Sequence, residues 1–245
     1  MRFFNRSGLL VACAILLSAC VERPLKTTNA DNFQEEILLK AKNHSGLIAL
    51  YRSQLKKKEN PQVRLKLAQY YYQTGDYKSS LEYLQPLHNT PNIAVSLLRA
   101  KNRVALGDYA LALQLTDRIR QREPNNAEAW NLHGIALALS GKRDEGQRAI
   151  EQARALFIAD EVALNNLAVI ALMEQRYQDV VELLLPQYLH GKKQSNLLHN
   201  LVLSLVKSGN RYYARKIIQS ENLSDRPDAL IDALASIVPG ERKEA

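Results

Sequence analysis

Cysteine is nearly absent: the chain of 245 residues holds two, Cys13 and Cys20, both within its first 20 positions. The remainder has no thiol, so it carries neither a disulfide framework nor a cysteine nucleophile. Glycine and proline are also scarce, at 10 and 8 residues, and they fall between periodic segments, where they punctuate rather than break. Alternating Val/Ile-rich stretches are missing, so little or no strand is expected. The histidines, His44, His88, His133, His190 and His199, form no His-Glu-x-x-His and no other close pair. There is no glycine-rich phosphate loop, no nucleophile elbow and no Cys/His metal spacing. Glu35-Glu36 and similar carboxylate pairs fall on the solvent faces of expected helices, and His133 reads as a core residue. These absences argue against an enzyme, and no cofactor, metal or small-molecule substrate is expected.

Helix-forming Leu, Ala, Gln, Glu, Lys and Arg fill the space the absent residues leave. Apolar residues make up 46% and charged residues 24%, an ordinary globular mixture. The formal charge is +8, and without Arg2 and Arg6, which lie in a segment expected to be removed, 31 basic against 25 acidic residues give +6. Lys56-Lys57-Lys58 is the one compact basic run. It sits at an expected helix end, where cations suit the helix dipole. No nucleic-acid recognition motif accompanies it, so a nucleic-acid partner is not expected.

The first 19 residues read as a signal peptide. Arg2 and Arg6 form a positive start, and Gly8 to Leu17 is an apolar run far shorter than the ~20 residues that span a membrane. Leu17-Ser18-Ala19-Cys20 resembles a bacterial lipobox. That resemblance implies a diacylglycerol on the Cys20 thiol, cleavage before Cys20 and acylation of the new amine, with palmitate-type chains. One chain binds a membrane marginally, at ~0.8 kcal/mol per buried CH₂, whereas two or three hold it. Lipoproteins retained in the inner membrane usually carry Asp after the cysteine. Here it is Val21, which points by the same resemblance to the periplasmic face of the outer membrane. Residues 20–30 are then the lipidated cysteine and a polar, flexible tether, reaching about 17 Å.

Beyond the tether a period emerges. Gly75-Asp76-Tyr77 recurs as Gly107-Asp108-Tyr109, Gly141-Lys142-Arg143, Gln175-Arg176-Tyr177 and Gly209-Asn210-Arg211, in steps of 32, 34, 34 and 34 residues. A 34-residue unit resembles the tetratricopeptide repeat (TPR), a helix–turn–helix. The expected fold is therefore all-α, a right-handed solenoid with five repeats over residues 61–221. If the turn residue is position 15 of each unit, position 8 reads Ala68, Ala100, Gly134, Ala168 and Val202. Position 20 reads Ser80, Ala112, Gly146, Val180 and Ala214. Small residues belong there because the two helices cross closely, with the closest crossing expected at Ala168. Position 24 supplies core fillers such as Leu84 and Ile150. Trp130 takes the aromatic position 4 of the third unit, and Pro124 ends the second. Arg64, Arg99 and Arg103 depart from the pattern by replacing apolar residues. Residues 31–60 read as an N-terminal capping hairpin or a degenerate repeat, with Phe33, Ile37 and Leu38 on one face. Residues 222–240 read as a C-terminal capping helix that Ser224 or Asp225 caps and Pro239-Gly240 stops.

In such an array the first helix of each unit faces the concave groove. Position 5 gives Asn131, Asn165 and His199, 34 residues apart, and beside them Ile135, Val169, Met173 and Leu203 form an apolar strip. This set suits a bound peptide. Two readings of it remain open: Asn side chains holding a peptide backbone over an apolar floor, or Asn residues that satisfy the repeat pattern and apolar residues that pack between units.

A lipobox followed by five or six such repeats resembles three families. They are the TadD lipoproteins of Flp (Tad) pilus assembly, the PilF/PilW pilotins of type IV pilus secretins, and the NlpI adaptors of peptidoglycan hydrolases. Val162-Ala163-Leu164-Asn165-Asn166-Leu167-Ala168, with its second helix ending Glu182-Leu183-Leu184-Leu185-Pro186, is most similar to TadD. The next unit, Leu198-His199-Asn200-Leu201-Val202-Leu203-Ser204-Leu205, points the same way. The resemblance implies a membrane-anchored scaffold whose partner is a secretin or another pilus-assembly protein. The alternatives imply cell-wall hydrolases or a type IV pilus secretin.

Overall fold

The computed structural model describes residues 27–237; the expected signal peptide, Cys20, the start of the tether and Pro239-Gly240 lie outside them. Thirteen α-helices and no strand occur among the described residues. They pair as antiparallel hairpins: α1 (Thr27–Lys40) with α2 (His44–Lys57), α3 (Pro61–Gln73) with α4 (Tyr77–Leu84), and α5 (Ile93–Ala105) with α6 (Tyr109–Arg122). Then come α7 (Ala127–Leu139) with α8 (Arg143–Ala155), α9 (Asp160–Met173) with α10 (Tyr177–Leu189), and α11 (Ser195–Lys207) with α12 (Arg211–Ser220). The last helix, α13 (Pro227–Ser236), stands alone.

The turn within each hairpin explains the period. Its residue must adopt a left-handed backbone, and Gly75, Gly107, Gly141 and Gly209 do so at φ of 82°, 77°, 97° and 83°. Gln175 holds the same register at φ 59°, a strained choice for a residue with a Cβ. The next residue starts the second helix. Asp76 and Asp108 accept the backbone N–H groups of Ser79 and Leu111 at 3.0 and 3.4 Å, N-caps that satisfy otherwise orphaned donors. Asn43, Asn60, Asn92 and Asn126 cap α2, α3, α5 and α7 in the same way.

Positions 8 and 20 are buried throughout. The closest crossing, however, falls in the third unit rather than at Ala168. A Cβ on Gly134 would lie 2.7 Å from the Gly146 carbonyl oxygen, and one on Gly146 would lie 2.7 Å from that of Gly134. Two glycines face each other there, so α7 and α8 meet backbone to backbone, whereas Ala168 and Val180 are buried in one side-chain cluster of the fourth unit.

The cores run as overlapping clusters along the array, each shared by adjacent hairpins as solenoids require. Leu47 and Tyr51 of α2 bury against Leu67 of α3. At the far end Ile231 of α13 is fully buried with Leu201 and Ile218, so α13 closes the stack. Arg64 and Arg103 are tolerated because each has a carboxylate, Glu59 at 2.7 Å and Asp108 at 3.1 Å.

Several boundaries differ from expectation. Residues 27–30, assigned to the tether, form the first turn of α1, since neither Gly nor Pro lies between Pro24 and Gly46 to stop the helix. Phe33 and Ile37 of α1 stand exposed, since no hairpin among the described residues packs on that side of α1. Helix α10 continues through Pro186 to Leu189. The proline ring removes one bond only, to the carbonyl of exposed Glu182, while its own carbonyl still accepts from His190 at 3.0 Å. Ser224 accepts from the Arg226 N–H at 3.1 Å, tightening the turn before α13 instead of capping the helix.

Candidate protein-binding surface

The first helices of successive units touch one another, α3 on α5, α5 on α7, α7 on α9 and α9 on α11; the second helices make no comparable contacts among the described residues. The array therefore bends with its first helices inside, and α13, which also packs on α11, extends that inner row. Position 9 shows the character of the inner face. It runs Gln69, Lys101, Ile135, Val169, Leu203, polar in the first two units and apolar in the last three. Val169 is exposed, and Ile135, Met173 and Leu203 are half-exposed, so the apolar part is open to a partner. In the polar part Lys101 pairs with Glu128 of the next unit. A cavity of about 410 Å³ opens beside them, lined by Gln69, Tyr72, Gln73 and Leu97.

The position-5 residues do not act alike. Asn131 is buried at 7% exposure, and its side-chain carbonyl accepts from Asn166 Nδ2 of the next unit at 2.8 Å. Asn165 repeats the motif more loosely, accepting from Asn200 Nδ2 at 3.3 Å while half-exposed. His199, the third member, is exposed and lies at the same register one unit on. The asparagines thus act first as staples between neighbouring units, position 5 of one to position 6 of the next. Asn131 has too little surface to meet a peptide, whereas Asn165, with Asn166 and Asn196, lines a cavity of about 180 Å³ on the inner face. The staple partners were visible in the sequence, since Asn166 and Asn200 also stand 34 apart. Nothing in that spacing shows that they turn toward position 5 rather than toward a ligand.

His133 with Thr116, and Asn102 with Ser80, also buried, bond in pairs across the fold. His133 lies under the surface with Nδ1 2.9 Å from Thr116 Oγ1. Burial, and then the nearby Arg120 guanidinium, holds its pKa below the usual imidazole value against the weaker pull of Asp117 and Glu145. Asn102 donates to Ser80 Oγ and to the Leu98 carbonyl at 2.9 and 2.8 Å, tying the first unit to the second. On the outer side a wider apolar cavity of about 840 Å³ separates α10 from α12, walled by Leu185, Leu189, Tyr213 and Ile217. Among the described residues no group of three or more His, Cys, Asp or Glu is placed to hold a metal.

Hairpins that repeat every 32 to 34 residues, with left-handed turns, small residues at both crossing positions and an inner row of first helices, define the architecture. The chain folds as a TPR solenoid. A sequence profile of the Psidin N-terminal TPR repeats region matches residues 102–218, just under half the chain. Among solved structures, a tetratricopeptide repeat protein from Parabacteroides merdae is similar at TM-score 0.71 and 16% identity, over 87% of this chain and 84% of that one. A thermophilic TPR protein from Thermus thermophilus aligns at TM-score 0.63 and 20% identity, over 73% of this chain and 98% of its own. MamA from Desulfovibrio magneticus RS-1 aligns at TM-score 0.53 and 14% identity, over 64% and 91%. At such identities the likeness is one of fold. No curated protein matches the sequence. A TPR array of this kind is suited to protein–protein interaction, with side chains presented along the inner row of first helices.

Proposed function

We propose that this TPR protein is a lipid-anchored, pilotin-like scaffold at the periplasmic face of the outer membrane, and that it binds the secretin of a Flp (Tad) pilus apparatus on its inner face. The observation that carries the binding reading is the open apolar row Ile135, Val169, Leu203 beside the half-exposed Asn165. An amphipathic or largely apolar segment laid along the first helices would cover that row, with its polar end over Gln69 and Lys101. The address rests on the sequence Leu17-Ser18-Ala19-Cys20, and the choice of client rests on the resemblance of the last two units to TadD proteins.

The mechanism needs no chemical step, and the protein is read as a non-enzyme. Binding lowers the free energy of the client where the anchor is, so the client accumulates and inserts there. Acyl chains on Cys20 would make release negligible. The test is palmitate labelling and membrane fractionation of wild type and Cys20→Ser, combined with co-purification of secretin from the outer-membrane fraction. The reading expects labelled wild type that retains secretin, and an unlabelled variant that releases secretin from that fraction. Equal labelling of both would refute the anchor. Enrichment of peptidoglycan hydrolases in place of secretin would refute the client and favour an NlpI-like adaptor.

A further inference from the structure

The second and third units share a 34-residue register in which Ser96 corresponds to Trp130 and Arg99 to His133. In the third unit Trp130 fills the space beside α6. Its Nε1 donates to the Pro124 carbonyl at 2.7 Å, and the Arg120 guanidinium carbon lies 3.6 Å from the indole centroid. Ser96 carries no such bulk, and it lines a cavity of about 250 Å³ between the loop joining α4 to α5, the first half of α5 and the last half of α6.

The lining of that cavity has one sign. Arg99, Arg118 and Arg122 converge on it with His88, Thr90 and Ser96, and no Asp or Glu lines it. Neighbouring arginines are neutralised, Arg103 by Asp108 and Arg120 by Asp117. Arg99, Arg118 and Arg122 have no such ion pair among the described residues. Arg99 is half-buried, and burial, followed by the like charges of Arg103 and Arg118, pulls its pKa below the usual guanidinium value. Ile93, the first residue of α5, also lines the cavity. Three guanidiniums without a carboxylate, around one cavity at the start of α5, leave an uncompensated positive site.

We propose that this cavity binds a phosphate group. Guanidiniums engage tetrahedral oxyanions through paired N–H donors. Three of them offer more donors than the two oxygens of a carboxylate can accept, whereas a phosphate presents three or four oxygens and up to two charges. The group can come from a free phosphate compound or from a phospholipid headgroup, and the test separates them.

The full chain, purified in detergent, is titrated by calorimetry with inorganic phosphate and with dihexanoyl phosphatidic acid. Binding of phosphate alone assigns the site to a free phosphate compound. Binding of the short-chain lipid in competition with phosphate assigns it to a headgroup. Arg118→Gln with Arg122→Gln should weaken either ligand about tenfold or more, the worth of one charge-assisted bond. Arg52→Gln with Arg148→Gln, which removes the same net charge from positions elsewhere, should leave affinity unchanged. Ser96→Trp, which places an indole at a lining position of the cavity, should abolish binding while the helical circular dichroism persists. If that variant does not fold, the arginine pair decides. Failure of both ligands to bind overturns the proposal. So does equal weakening by the control pair, or undiminished binding in a folded Ser96→Trp protein.

Discussion

Gly134→Ala probes the backbone-to-backbone crossing on which the centre of the array depends. The added methyl would lie 2.7 Å from the Gly146 carbonyl oxygen and 2.6 Å from Ile150 Cγ1. The first neighbour is backbone, so relief requires α7 and α8 to separate along their whole contact. Overpacking of this kind costs about 1–3 kcal/mol, and a backbone clash belongs at the upper end. Replacing glycine inside a helix recovers about 1 kcal/mol. The expected net loss is about 2 kcal/mol, which for a chain of this size lowers the melting temperature by about 4–8 °C. Gly46→Ala is the contrasting control. Its methyl would also meet Leu38 Cδ2 at 2.5 Å and the Asn43 amide at 3.1 Å, but these are side-chain ends that can shift, so the loss should be smaller than at Gly134. Thermal unfolding by far-UV circular dichroism measures both, and amide exchange over residues 127–155 shows whether the loss is local. A Gly134→Ala protein that melts at or above wild type, with unchanged protection in α7 and α8, would refute the crossing as described.

Asn131→Ala should destabilise by about 0.5–1.5 kcal/mol for the lost bond, with a further cost because Asn166 is left part-buried without its acceptor; Asn165→Ala, at a longer and more exposed bond, should cost less. A double-mutant cycle of Asn131 with Asn166 in urea unfolding checks the coupling, and simple additivity would remove the staple. Gln175→Gly should stabilise by up to about 1 kcal/mol, because the turn holds Gln175 at φ 59° and glycine adopts that region without a Cβ clash; a lower melting temperature would contradict this. His133 has a folded pKa below its unfolded value of about 6.5. As pH falls below about 6.5 the unfolded chain takes the proton first, so stability should drop from there down to the folded pKa and be flat above. Urea midpoints of wild type and His133→Gln across that range test it, and identical pH profiles would refute it.

The period was legible because a single backbone requirement recurs. Each hairpin turn needs a left-handed residue, so glycine repeats at 75, 107, 141 and 209, and Gln175 holds the place through its Arg-Tyr continuation. The crossing positions were legible for a similar reason, since only small side chains fit there. Which crossing is tightest was not, because glycine opposite glycine at 134 and 146 matters only when the two are known to face each other. Helix ends that depend on solvent access, such as α10 running through Pro186, also escape pattern. On the inner face, spacing places Asn131 and Asn165 in one row but is silent on the burial that closes over the first and leaves the second open. The cavity at Ser96 was half visible. Arg99 stood out as a charge at an apolar position, while its convergence with Arg118 and Arg122 depends on the packing of α5 against α6.

The most direct test of the proposed client-binding face leaves Asn131 alone, since altering it would disturb the fold. Val169→Lys with Leu203→Lys places two charges in the open apolar row, and Leu189→Lys, at 73% exposure on a second helix, places one outside it. Secretin-derived peptides are titrated against each protein by fluorescence anisotropy, with melting curves to verify folding. Burying an apolar side chain contributes about 1.5 kcal/mol or more, so the inner-face pair should weaken binding at least about tenfold, with Leu189→Lys unchanged. Wild-type affinity in the folded inner-face variant, or loss of binding in the Leu189 control instead, would contradict the account and move the docking surface to the outer side of the solenoid.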